Sequence, residues 1–203
     1  LVDGFGMALI EHRCAALYAH YLGEGSAGIP LGAFDAFQQA ELAYADSERC
    51  ERDRRFWHSY LPPSQALPTV RKGGEAYGVR RLSTHHRLPA AVSQRLAQLA
   101  ERSGINWPDL LVALSAAWLF QVMPRDTRQG DMLPMWMPAM NRRGQAATNV
   151  PSLAVNTLPL LVSPPPSATL GDFLMTMAQQ LRELRSHAGY RLRQLAADRG
   201  VEP

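Results

Sequence analysis

The spacing of apolar and polar residues predicts helices in the first third of the chain. Apolar residues recur at three- and four-residue intervals over residues 7–22, the period of one helix face. Residues 24–33 are rich in Gly, Ser and Pro and predict a loop. A second helical pattern, rich in Ala, Gln, Glu and Arg, predicts one long helix over residues 35–60. Residues 62–76, with three prolines and two glycines, are the best linker candidate.

After this linker the pattern mixes strands with helices. Residues 77–88 can form a strand, and Pro89 suits the first position of a helix that ends before Gly104. Asn106 can cap a second helix. Its residues 109–123 are apolar on nearly every side, so we expect that helix to be buried.

Two further strands and two helices follow. Residues 131–140 and 153–162 are the strand candidates, and prolines in the first favour an edge position. Thr169 and Asp172 form a capping-box-like start for a long amphipathic helix, and a short helix covers about 191–199. The chain is therefore predicted to be a mixed α/β protein whose helices cover a sheet.

Composition and charge limit the classes of protein to which the chain can belong. The 203 residues are 46% hydrophobic and 19% charged, which is enough for a core and argues against disorder. The net charge of +3 points only weakly to nucleic acid, because the basic stretch 49–55 contains Glu51 and Asp53 and is typical of an ion-paired helix face. Cys14 and Cys50 are too few for a disulfide scaffold or a zinc site. No apolar run reaches the ~18 residues of a membrane helix, and the cytoplasm is the default location.

Few residues offer chemistry on their own. Asp3 and Gly4 precede a helix, where a turn with an N-terminal cap is the common arrangement. Asn156 interrupts an apolar strand, so its amide either braces a neighbouring loop or points into a cavity. His85 and His86 face opposite sides of a strand and cannot serve one site. Neither a phosphate-binding loop, nor a nucleophile elbow, nor metal-ligand spacing occurs in the sequence.

The sequence starts at Leu1 without a signal segment, and we expect it to be a piece of a longer polypeptide. Such a piece can lack part of its own active site.

Four stretches, taken in order, resemble one family. LVDGFG resembles the end of an HHxxxDG motif, and residues 36–61 resemble a segment that ends in an aromatic-Trp pair before proline. Residues 141–162 resemble an arginine, a loop and a VNTLP strand, and residues 181–195 resemble a helix with a His-x-x-Tyr motif. Together they resemble the condensation domains of non-ribosomal peptide synthetases over essentially all 203 residues.

The resemblance implies a fold and an organisation. The fold would be the α/β sandwich of chloramphenicol acetyltransferase, with two lobes and a tunnel between them. Residues 1–61 would be the C-terminal part of the first lobe and residues 62–76 the inter-lobe linker. Residues 77–203 would be the second lobe, incomplete at its end.

The resemblance also implies a reaction. Such domains join a donor acyl or aminoacyl thioester to the amine of an acceptor aminoacyl thioester. Carrier domains hold both on phosphopantetheine arms, and an adenylation domain lies in the same polypeptide. The chain itself would bind no cofactor, metal, nucleic acid or membrane. The overall character of the sequence further suggests a synthetase that makes a siderophore.

Site residues follow by matching motifs. Asp3 and Gly4 match the end of HHxxxDG, whose second histidine would lie two residues before Leu1, so residues 1–203 alone should be inactive. Arg142 lies fourteen residues before Asn156, the spacing of the family's arginine, and implies an ion pair with Asp3.

Three more positions are implied in the substrate tunnel. Asn156 would face it, and His187 and Tyr190 would shape it near the donor side. The match is incomplete here, because Ser152 stands where the family often has Gly and Ala188-Gly189 stands for Gln-Asp.

Two alternatives remain open. One is a non-catalytic domain of the same fold that only docks partners. The other is a free-standing acyltransferase that uses acyl-CoA. The residues upstream of Leu1 and the neighbouring domains of the parent protein distinguish them.

Overall fold

The computed structural model describes residues 1–62, 84–124, 131–142 and 148–200. Within these ranges the elements, in chain order, are α1 (Gly4–Tyr21), α2 (Phe34–Ala45), α3 (Glu48–Tyr60), α4 (Ala90–Arg102), α5 (Trp107–Val122), β1 (Leu133–Met140), β2 (Val155–Val162), α6 (Leu170–Ser186) and α7 (Leu192–Asp198). The strands β1 and β2 pair in a two-stranded sheet.

The chain divides into two compact units. The first unit consists of Leu1–Ala66, Met137–Leu158 and Arg185–Pro203, and the second of Leu67–Trp136 and Pro159–Leu184. The first unit thus combines the start of the chain with two later segments. The lobe boundaries expected from the sequence stay a prediction, and the linker candidate lies, apart from its first residue, outside the described residues.

Helix α1 begins earlier than its apolar pattern predicts. Asp3 has extended backbone geometry, and its carboxylate accepts a hydrogen bond from the Gly6 N–H at 2.8 Å. This is an N-cap, which satisfies one of the free N–H groups of the first turn. The capping role expected of Asp3 is therefore confirmed.

The prediction of one helix over residues 35–60 is wrong. Helix α2 ends at Ala45, and α3 begins at Glu48. Ser47 between them adopts φ −93° and ψ 152°, and its hydroxyl accepts from the Cys50 N–H at 3.2 Å. A serine that competes for backbone hydrogen bonds favours a helix start over a helix interior, and this cap outweighs the continuous polar and apolar pattern.

We expect replacement of Ser47 with Ala to lower the free energy of unfolding by about 1 kcal/mol, because the capping acceptor is lost. Ser59→Ala, at an exposed position of α3, is the matched control and should change it by less than about 0.5 kcal/mol. Urea unfolding of both variants measures the difference. Equal losses would contradict the cap.

The helices α4 and α5 of the second unit follow the sequence signals with two corrections. Asn106 caps α5 as predicted, its Oδ1 accepting from the Asp109 N–H at 2.9 Å. Pro89 is the N-cap of α4 instead of its first residue. The expected burial of α5 is wrong on one face: Leu110 is fully buried, but Trp118 is 63% exposed. An apolar pattern along one helix does not show which of its faces pack against other elements.

The strand predicted over residues 77–88 is not observed in its described part, because residues 84–88 have no regular structure. The remainder lies outside the described residues. Among the described helices none is both long and apolar enough to span a membrane alone; only the pair α4 and α5, bent by 102°, meets the length and composition test jointly.

The sheet and α6 match their predictions closely. Strand β2 is buried along most of its length. The side chains of Thr169 and Asp172 exchange hydrogen bonds with each other's backbone N–H at 3.3 and 3.2 Å, which confirms the capping box. One face of α6 is buried, and the half-buried Gln180 beside it donates to the Leu161 carbonyl at 2.9 Å.

Candidate functional site

The first unit contains a buried ion pair between Asp3 and Arg142. The Arg142 Nη2 atom lies 2.7 Å from Asp3 Oδ1, and the two side chains are 6% and 5% exposed. Asp3 Oδ2 accepts from the backbone N–H groups of Ala154 at 2.9 Å and Val155 at 3.1 Å. With the Gly6 N–H on Oδ1, this one carboxylate joins the start of α1 to the start of β2.

Arg142 is held from several sides. Its Nη1 donates to the Val150 carbonyl at 2.7 Å, and its Nη2 donates to the Ser152 carbonyl at 2.9 Å. The Phe5 ring lies 4.8 Å from the guanidinium carbon, within the range of a cation–π contact. The guanidinium therefore fixes the 150–152 backbone against the segment that carries Asp3. The ion pair expected from the sequence is present.

The two glycines that follow Asp3, Gly4 and Gly6, differ in the space around them. A Cβ on Gly6 would lie 3.2 Å from the Ser152 N and O atoms, so a larger residue here would require the Ser152 backbone to move by a few tenths of an ångström. A Cβ on Gly4 would meet nothing within 4 Å. Gly4 is exposed as the first residue of α1, and its role stays a prediction.

The hydrogen bonds around Asp3 stabilise its charged form. Burial alone would raise the pKa of this carboxyl group. The hydrogen bonds from the Gly6 N–H, the Arg142 guanidinium and the Ala154 and Val155 N–H groups outweigh it and lower the pKa from its ordinary 3.8 to about 2. The carboxylate is thus ionised at neutral pH and held in one orientation.

This shift predicts a pH dependence of stability. Because the folded-state pKa is depressed, the contribution of Asp3 is fully present above the unfolded value of 3.8 and is lost as the pH falls toward and through about 2. It amounts to about 2 kcal/mol. Urea unfolding of the natural chain and Asp3→Asn should show the stability gap shrinking across this window. A gap independent of pH would contradict the assignment.

Asn156 braces the chain in the first unit. Its Nδ2 donates to the Ala188 and Tyr190 carbonyls, both at 2.9 Å, and its Oδ1 accepts from the Thr157 and Leu192 N–H groups at 2.9 and 3.3 Å. The residue is 5% exposed. These contacts satisfy the whole amide, so the bracing alternative describes what Asn156 does in this structure, and its place in a tunnel stays a prediction.

His187 is held by the buried carboxylate of Asp53, which the sequence did not indicate as a site residue. Its Nδ1 lies 2.8 Å from Asp53 Oδ1, and its ring stacks on Phe56 with centroids 4.0 Å apart. The Trp57 indole donates to the His187 carbonyl at 2.9 Å. Asp53 is 2% exposed, so the reading of its basic stretch as a solvated face is wrong at this position. The available signal in the sequence is that Asp53 lies four residues before Trp57, which places both side chains on the same face of a helix.

Tyr190 belongs to a second polar cluster of the first unit. Its hydroxyl donates to Asp198, which also accepts from His58 Nε2 at 3.0 Å and Arg54 Nε at 3.2 Å. Burial and the bond to Asp198 raise the pKa of Tyr190. Burial alone would raise the pKa of Asp198, but its hydrogen bonds from Tyr190, His58 and Arg54 lower it. Asp198 therefore ties α7 to α3 as an acceptor, while Tyr190 stays a protonated donor.

Across residues 1–62, 84–124, 131–142 and 148–200, no group of three or more His, Cys, Asp or Glu side chains is arranged to hold a metal ion. In the described residues, the site consists of the buried ion pair between the Asp3 carboxylate and the Arg142 guanidinium. Two clusters of aromatic and polar side chains lie along α3, one around His187 and one around Tyr190.

The helices and small sheet have the α/β, chloramphenicol acetyltransferase-like fold of solved condensation domains. The family model of the condensation domain matches residues 1–202, and the chain belongs to this family. Both the fold class and the family expected from the sequence are confirmed.

Individual relatives agree with this assignment. The chain is 29% identical over 205 residues to enterobactin synthase component F of Escherichia coli (strain K12), covering 98% of this chain and 15% of that protein. It is 26% identical over 198 residues to a dimodular nonribosomal peptide synthase of Bacillus subtilis (strain 168), covering 97% of this chain and 8% of that protein.

Solved structures agree in fold. VibH, an NRPS condensation enzyme, superposes with a TM-score of 0.84 at 32% identity, covering 99% of this chain and 46% of VibH. The first condensation domain of the calcium-dependent antibiotic synthetase, in complex with a substrate analogue, gives 0.77 at 26% identity over 98% of this chain and 44% of that one. The chain spans less than half of each of these structures and a small part of the curated relatives.

Proposed function

We propose that the chain is part of a condensation domain that forms an amide bond between two carrier-bound substrates. The donor is an acyl or aminoacyl thioester, and the acceptor is the amine of an aminoacyl thioester. The observation that carries the proposal is the buried Asp3–Arg142 ion pair. It lies at the remnant of the motif whose histidine would act on the attacking amine.

In this reaction the main contribution of the protein is to position the two substrates. The acceptor nitrogen attacks the donor thioester carbonyl, the C–N bond forms, and the C–S bond breaks to release the donor carrier's thiol. A histidine near the attacking amine accepts its proton or holds the nitrogen in place. Orientation of two tethered reactants supplies up to about 7–11 kcal/mol in the best model reactions.

Asp3 and Arg142 would act as positioning residues for that histidine. Asp3 has all of its described hydrogen bonds directed into the protein, toward α1, Arg142 and β2. A segment that continues before Leu1 would leave this anchor in a defined direction. In this proposal the pair fixes the loop that bears the histidine and does not touch the substrates.

The remaining assignments extend the same proposal. Residues 1–61 belong to a first lobe and residues 77–203 to a second, with Asn156, His187 and Tyr190 near a substrate tunnel. The parent protein supplies carrier domains with phosphopantetheine arms and an adenylation domain, and works in the cytoplasm. The siderophore synthetases among the relatives, enterobactin synthase component F and vanchrobactin synthetase VabF of Vibrio anguillarum, favour a siderophore product.

The proposal is tested with the parent polypeptide and residues 1–203 side by side. Donor and acceptor thioesters are loaded on its carrier domains, and the amide product is measured by mass spectrometry. We expect amide formation by the parent protein and none by residues 1–203. Replacement of the second residue before Leu1 should abolish it if that residue is histidine.

Two outcomes would contradict the proposal. Absence of amide from a parent protein whose carriers are fully loaded would favour a docking role. Acyl transfer from free acyl-CoA at the same rate without carriers would favour the free-standing acyltransferase.

A further inference from the structure

The first unit contains a cavity that the proposed function does not use. It has a volume of about 320 Å³ and lies against α2 and the start of α3. This volume is at the lower end of the range for small-molecule sites. Phe37, Ala40 and Ala43 form its apolar wall, and no residue of the Asp3–Arg142 pair lines it.

One buried hydrogen-bond acceptor at this cavity, Asn141 Oδ1, has no donor among the described residues. Asn141 lines the cavity and is only 4% exposed. Its Oδ1 atom is buried, and within the described ranges of the chain nothing donates a hydrogen bond to it. Buried polar atoms are normally paired. Since the amide can turn about its Cβ–Cγ bond, a donor placed in the cavity could meet this oxygen.

Two groups of opposite charge also line the cavity. Glu41 accepts from Arg191 at 2.5 and 3.2 Å, both contacts on Oε2, and in the described part of the chain Oε1 accepts none. Arg49 is exposed and forms no ion pair with any residue that the structure describes. The cavity thus offers acceptors, a guanidinium and an apolar wall.

We infer that this cavity binds a free apolar α-amino acid. The ligand's ammonium group would donate to Asn141 Oδ1 and Glu41 Oε1, and its carboxylate would pair with Arg49. Its side chain would pack against Phe37, Ala40 and Ala43. A free carboxylate separates this ligand from the carrier-bound substrates of the proposed function, whose carboxyl carbon is a thioester, so this site can exist whether or not that function is correct.

L-Leucine is the probe, and protein-observed NMR on residues 1–203 is the measurement. Leucine should shift the amide signals of Ala40, Ala43 and Gly189. Two analogues provide the controls: 4-methylpentanoic acid lacks the ammonium group, and 3-methylbutylamine lacks the carboxylate. Loss of the ammonium group, which would face both Glu41 and Asn141, should weaken binding about tenfold or more. Loss of the carboxylate, which would pair with the exposed Arg49, should weaken it about fivefold.

Two variants test the location. Ala43→Phe fills the cavity from an exposed helix position and should weaken leucine binding about tenfold or more, since the bulky ring excludes the ligand's side chain. Ala45→Phe, exposed on α2 outside the cavity, is the matched control and should bind like the natural chain. Asn141→Leu should reduce the advantage of leucine over 4-methylpentanoic acid, because only the Glu41 contact to the ammonium group then remains.

The inference is overturned if leucine leaves these signals unchanged or if Ala43→Phe binds it as well as Ala45→Phe does. Equal affinity for leucine and both analogues would overturn it as well, because the polar groups would then have no part in recognition.

Discussion

Replacing Arg142 with Met should lower the free energy of unfolding by about 3–5 kcal/mol. The change removes the guanidinium but leaves the buried Asp3 carboxylate without its ionic partner, and it also removes donors to the Val150 and Ser152 carbonyls. Breaking a buried pair costs far more than breaking a surface one, because the remaining charge is uncompensated. Urea unfolding of residues 1–203 measures the loss.

Arg52→Met is the matched control for this substitution. Arg52 pairs with Glu48 at 3.8 Å, but the two side chains are 59% and 98% exposed. Its loss should therefore cost less than about 0.5 kcal/mol. Arg142→Lys should recover only part of the stability, since an ammonium group cannot reproduce the forked contacts of the guanidinium. Equal losses for Arg142→Met and Arg52→Met would show that the pair does not anchor the structure.

In the parent protein, Asp3→Asn should slow amide formation about 100-fold at saturating substrate. The amide can keep the cap on α1 through its oxygen. Its NH₂ group, however, would face the N–H groups of Ala154 and Val155 and could not accept from them. In the proposed function, a loop that continues before Leu1 would lose its orientation, and in positioned reactions a small displacement has a large effect on rate.

The loading of carrier domains separates this effect from general damage. Adenylation and thioester formation in the Asp3→Asn protein should match those of the natural parent, because in the proposed function only the condensation step depends on the loop that Asp3 anchors. A normal rate of amide formation would contradict the positioning role. A slow rate with defective loading would also contradict it, because the defect would then extend beyond condensation.

Site residues that belong to a motif can be predicted from the sequence, whereas those whose role depends on tertiary contacts cannot. The Asp3–Arg142 pair could be expected because both partners belong to recognisable motifs with fixed spacing. The buried Asp53 could not be, because an acidic residue among arginines has the pattern of a solvated helix face, and burial depends on the tertiary partner His187. The sequence around Asn156 allows either a bracing role or a place in a cavity, and only the positions of the Ala188 and Tyr190 carbonyls decide its contacts.

The fold shows the same division between local and tertiary signals. The caps formed by Asp3, Asn106 and Thr169 are local, and each was predictable from a few neighbouring residues. The break at Ser47 was also local, but the long helical pattern on both sides concealed it. The exposure of Trp118 on α5 is a tertiary property, because it depends on which surfaces lie against the helix.

The central claim is that Asp3 and Arg142 act as one unit that positions the condensation site, and a double-mutant cycle on the rate tests it most directly. The measurement is amide formation at saturating substrate by the parent protein with Asp3→Asn, with Arg142→Met and with both changes. If the two residues act through their shared contact, the double variant should be no slower than the slower single variant. Rate losses that multiply in the double variant would show two independent roles and would contradict the claim.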